Sequence, residues 1–191
     1  MHSYAAFLGN NPMISAAELS SLLPDLTPQK VYANQILAFQ TKHELDQEFL
    51  NTLGGTMMIA KSVTKEGTKA DLKDIPTILA AELSGVKGKV TFAFRFVGVA
   101  PAKAKTFYSD CKQFLKSKST PSRYIGNEMK PAMSVQLHDE GLLDPKKGCE
   151  LVILQDKDSL WIGRTVAAQN IKAYTKRDME KPVRDMTVGM L

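Results

Sequence analysis

Hydrophobic and polar positions fall in short blocks whose period switches along the chain. Ser3 to Leu8 is a brief apolar run closed by the turn signal Gly9-Asn10-Asn11-Pro12. Ser15 and Glu18 stand at the S-x-x-E spacing of a helix capping box, which predicts a helix ending near Leu23-Pro24. After a polar loop, Val31 to Phe39 predicts a second strand. Leu45, Phe49, Leu50 and Leu53 share one side of a predicted helix that Gly54-Gly55 stops, and Met57 to Val63 predicts a third strand.

The first 63 residues therefore read β-α-β-α-β, a split βαβ arrangement of the ferredoxin-like kind with its last strand unplaced. The polar stretch from Thr64 to Lys73 marks a domain boundary near Lys65. Ile75 to Leu83 has helical spacing. Lys89 to Val99 alternates, with Phe92, Phe94 and Phe96 on one face and Thr91, Ala93, Arg95 and Val97 on the other, the pattern of a half-buried strand. From Pro101 to Lys118, Ala104, Phe107, Tyr108, Cys111, Phe114 and Leu115 recur at helical spacing. Glu150 to Leu154 and Leu160 to Val166, joined by a polar turn, predict a hairpin, while Pro131 to Leu143 leaves helix and strand open. The fold class is α+β.

Charge adds direction to this outline. The net charge is +5, and from Pro101 to Lys130 the cations Lys103, Lys105, Lys112, Lys116, Lys118, Arg123 and Lys130 face only Asp110 and Glu128, so this block holds the entire excess. Lys105, Lys112 and Lys116 fall on one face of the predicted helix, with Lys118, Arg123 and Lys130 just beyond it. Such a ledge suits contact with nucleic-acid phosphates, each neutralised phosphate adding salt-dependent affinity, and Tyr124 could stack on a base. The plainer reading is a solvated lysine-rich helix face. Arg164, in Gly163-Arg164-Thr165, could present its fork to a phosphate or form a salt bridge at a strand edge.

Several chemistries are excluded. No glycine-rich nucleotide loop occurs, Cys111 and Cys149 lack a CxxC partner, and His2, His43 and His138 are scattered, so neither a metal nor a cofactor is expected within this chain. His138-Asp139-Glu140 sets an imidazole beside carboxylates, more readily a cap or turn than a catalytic base. With no signal peptide and no apolar run near the roughly 20 residues that cross a bilayer, a cytoplasmic protein without membrane partners is expected.

The last third of the chain carries a more specific pattern. Gly163-Arg164-Thr165-Val166-Ala167-Ala168-Gln169, Tyr174, Arg177-Asp178, Lys181-Pro182-Val183-Arg184-Asp185 and Gly189-Met190-Leu191 resemble, in order, segments of the tRNA guanosine-10 N2-methyltransferase family. Leu8-Gly9-Asn10-Asn11-Pro12 with Ala17-Glu18-Leu19, and Leu53-Gly54-Gly55-Thr56 with Ile59-Ala60, are similar to its opening motifs. Lys181 stands where the family has Arg, and Met13-Ile14 replaces an acidic or polar residue followed by leucine.

The resemblance implies a ferredoxin-like domain over residues 1–64, a THUMP-type RNA-binding domain over 65–170 and a linker over 171–191, with Arg177, Asp178, Arg184 and Asp185 at an interdomain position. It implies binding of the acceptor stem and 3′ end of tRNA. S-adenosylmethionine would serve a methyltransferase domain following Leu191 or a separate subunit, since the family's D/N-P-P-Y/F motif is absent from these residues. A stand-alone RNA adaptor and a protein- or anion-binding module are the alternatives.

Overall fold

Residues 1–64, 71–126, 130–157 and 159–172 are described by a computed structural model. Strand β1, His2–Leu8, points Tyr4, Ala6 and Leu8 to one face and Ala5 and Phe7 to the other, as the two-residue period requires. Helix α1, Pro12–Leu22, starts with proline at its first position, and its N-cap is Asn11, whose side chain accepts the Ile14 N–H. Ser15 and Glu18 thus do not form the expected capping box. Both reach the turn after the next helix: Ser15 Oγ donates to the Gly55 carbonyl at 2.7 Å, and the Glu18 carboxylate accepts the N–H groups of Gly54 and Gly55 at 2.7 and 2.9 Å.

The predicted strand from Val31 to Phe39 is a hairpin of β2, Thr27–Tyr32, and β3, Ile36–Thr41. Ala33 and Asn34 turn the chain at φ of 47° and 59°, and the Gln35 N–H donates to the Tyr32 carbonyl at 3.1 Å. This hairpin supplies the strand missing from the sequence reading. Helix α2, Gln47–Asn51, is capped by Asp46, which accepts the Phe49 N–H, and β4 spans Thr56–Ser62. The order is therefore βαββαβ, with strands arranged β2-β3-β1-β4, every neighbour antiparallel.

The remaining elements are α3, Ile75–Glu82, β5, Val90–Val97, α4, Pro101–Ser117, β6, Ser122–Tyr124, α5, Ser134–Asp139, β7, Gly148–Asp156, and β8, Ser159–Ala168. Strands β6 and β7 run parallel to β5 on either side of it, and β8 returns antiparallel to β7 as expected. Strand β8 then pairs with β4 (Ile59 opposite Ala167, Ala60 opposite Thr165, with Val166 skipped), so all eight strands make one sheet, β2-β3-β1-β4-β8-β7-β5-β6. The fold is mixed α/β.

Helices α1 and α2 cover Tyr4, Ala6, Phe39 and Ile59, and α3 and α4 cover Phe92, Phe94, Leu151 and Ile153. The opposite face carries Ala93, Val152 and Leu154 against Leu137 of α5 and its flanking Ala132 and Leu142. Strand β5 is half-buried as its alternation predicts, with Thr91, Arg95 and Val97 partly exposed, except at Ala93, which is buried against this second layer. Four strands separate β2 from β7, yet Lys30 of β2 reaches Asp156 at 2.9 Å, and Trp161 Nε1 donates to Ser3 Oγ at 3.3 Å. The sheet is curled. Its inner face bears Ala5, Ala38, Ala60, Ala93 and Ala168, small residues that fit the reduced space inside the curl.

Candidate nucleic-acid interface

Helix α4 buries Ala104, Cys111 and Leu115, the last two in the cluster with Phe92 of β5 and Ile153 of β7. At 3.6 residues per turn, Lys105, Lys112 and Lys116 then project from one exposed flank, spread over about 16 Å of helix axis. Lys116 and Lys118 also sit at the helix C-terminus, where cations complement the exposed carbonyls. Lys118 lies over the Phe114 ring at 5.8 Å, and Lys112 Nζ approaches Tyr108 Oη at 3.4 Å. Lys105, Lys112 and Lys116 form the exposed ledge, and Lys118, on the Phe114 side at the helix end, stands apart from it.

The other expected site residues divide. Lys103 leaves the opposite flank of α4, into a hollow of about 420 Å³ shared with Gly98, Gln155 and Lys157, so it is not part of the ledge. Arg123 is exposed on the edge strand β6 but pairs with Glu140 at 2.9 Å, which offsets its charge. Lys130 is exposed. Tyr124 is half-buried with its ring centroid 4.7 Å from Tyr108 and 5.4 Å from Phe92, a core contact that withdraws it from the stacking role expected of it. Tyr108, read in the sequence only as an apolar helix position, lies beside Lys112 instead.

Arg164 is only 8% exposed. Its guanidinium donates to the Gly148 carbonyl at 2.7 Å and lies 3.4 Å from Glu82, so it ties β8 to α3 and presents nothing to a phosphate. The expected interdomain residues Arg177, Asp178, Arg184 and Asp185 lie outside the described residues.

The run His138-Asp139-Glu140 is dispersed among three partners. His138 Nε2 meets the Ala168 carbonyl at 2.9 Å, Asp139 pairs with Lys172, and Glu140 with Arg123. Cys111 and Cys149 are buried, and desolvation pushes each thiol up to about 12, far from a reactive thiolate. Among the described residues no three His, Cys, Asp or Glu side chains converge on a metal position, and no helix is long and apolar enough to cross a membrane.

Two features were not legible in the sequence. Glu150 of β7 is fully buried on the inner face, accepting from Thr165 Oγ1 and from Arg95 Nη2 at 3.0 Å, and burial raises its carboxyl above the ordinary range. Arg95 also donates to the Ala132 carbonyl at 2.6 Å, its Nε has no partner among the described residues, and the Phe7 ring lies 5.8 Å from its guanidinium carbon. Next to it opens an apolar groove of about 560 Å³. Charges in apolar strands carry no periodic signal, and the groove is assembled from segments far apart in the chain.

No family profile matches the chain, and no curated protein does. Among solved structures it is similar to a possible methylase from Clostridium difficile 630, at 11% identity and a TM-score of 0.43. That likeness covers 86% of this chain but 41% of the other, so this chain spans less than half of the methylase. At that identity and score it carries no inference about activity.

Proposed function

We propose that this chain is the tRNA-binding part of a tRNA-modifying enzyme. The observation that carries the reading is the ledge, where Lys105, Lys112 and Lys116 reach solvent along one flank of α4 with the sheet fixing the helix beneath them. Phosphate contacts of this kind position a protein on RNA without reading its sequence. The βαββαβ order with strands β2-β3-β1-β4 supports a ferredoxin-like unit over residues 1–64, and the remaining α/β unit, to residue 170, is assigned as THUMP-type. The family resemblance supplies the target, the acceptor stem and 3′ end of tRNA. Methyl transfer from S-adenosylmethionine is assigned to a catalytic domain outside these residues.

The test is binding to tRNA, and to tRNA trimmed of its 3′ single strand, across a salt series. Affinity should fall as salt rises and should drop on trimming. In the Lys112→Glu, Lys116→Glu double variant the slope of log affinity against log salt should become shallower by about 2, one for each phosphate no longer neutralised. Unchanged affinity and slope in that variant would remove the ledge from the interface.

A further inference from the structure

The apolar groove lies on the inner face of the curled sheet, bounded by Phe7, Met57, Met58, Leu137, Ala168 and Ile171 with Arg95 at its side. Its rim is exposed: Met57 is 43% accessible, Met133 66% and Ile171 46%. Large apolar side chains gathered at one concavity are the mark of a surface that something covers. Methionine suits such a surface because its flexible thioether adapts to irregular partners.

The chain itself is led to this rim. Past β8, Gln169 Nε2 donates to the carbonyls of Leu53 and Thr56 at 3.1 and 3.0 Å, and Ser134 Oγ donates to the Gln169 carbonyl. Ile171 then lines the groove, and Lys172 pairs with Asp139 at the end of α5. These anchors hold residues 169–172 along the groove edge, and 19 residues follow in the chain.

We propose that the groove is the docking site of residues 173–191 of the same chain. The sequence of that segment spaces Met179, Val183, Met186 and Met190, flexible or branched apolar side chains, among its charged residues. A tethered segment also docks without the entropy cost of bringing two molecules together, so modest apolar contact suffices. Docking there would fix the direction in which the chain leaves the sheet, and it does not depend on the RNA reading.

The experiment uses the full chain with p-benzoylphenylalanine in place of Met133 and, separately, of Met57, both exposed enough to accept it. Irradiation should give monomers cross-linked internally, with mass spectrometry placing the second site between residues 173 and 191. The Val183→Asp, Met186→Asp pair should cut that yield at least fivefold while the circular dichroism stays unchanged. Cross-links joining two chains would assign the groove to a second copy and overturn the proposal. Internal cross-links confined to residues 1–172, or a yield indifferent to the paired substitution, would overturn it too.

Discussion

Glu150 and Arg95 show what a charge inside a sheet does to stability. The Glu150 carboxyl is raised first by desolvation, and its contacts with Arg95 and Thr165 oppose that shift without cancelling it. For an acid raised in the folded state, the stabilising contribution is complete below the unfolded value near 4.5 and is lost as pH rises through the higher folded value. Glu150→Gln removes that titration. Stability of the natural chain relative to this variant should therefore decline as pH rises above 4.5, measured by urea unfolding at a series of pH values. A difference that grows in the natural chain's favour with pH would show instead that the Arg95 ion pair outweighs burial. Reading the sequence set Arg95 on the less buried side of an alternating strand and gave Glu150 no role. The residue types were visible, but burial on both faces depends on α5 and on β7, which lie elsewhere in the chain.

At the scale of elements, most helices and strands were legible because their apolar positions repeat with a clear period. Helix α4 and the β7–β8 hairpin lie close to their expected spans. The β2–β3 hairpin was not legible, since Ala33-Asn34 lacks the glycine that marks most two-residue turns and only Asn34-Gln35 interrupts the apolar residues there. Alanine at φ 47° carries a steric cost that glycine avoids. Ala33→Gly should therefore stabilise the protein by about 0.5–1 kcal/mol, read from the denaturation midpoint at constant slope. A loss of stability would mean that the turn is held by contacts of the alanine methyl. The ledge was legible in part: periodicity grouped Lys105, Lys112 and Lys116 and left Lys103 off their flank, but it could not show that Arg123 is paired, or that Arg164 and Tyr124 turn inward.

Across the whole molecule, the pairing of β4 with β8 binds the two halves into one sheet, and Gln169 adds hydrogen bonds from the end of β8 to both sides of the turn before β4. Unfolding should accordingly be a single cooperative event. Fluorescence of Trp161, on β8, and the helical circular dichroism, to which α1 of the first half contributes, should give one coincident urea transition. Separate midpoints would show that the halves melt independently. The same pairing has a consequence during synthesis. The partner of β4 emerges about 100 residues after it, and at ~5–20 residues per second a ribosome takes about 5–20 s to deliver it. Over that interval the nascent β4 offers Thr56–Ser62 as an open, largely apolar edge, the kind of surface that recruits neighbouring strands into aggregates. Chaperone capture of the growing chain would matter most in that window, and a slower rate of translation would lengthen it.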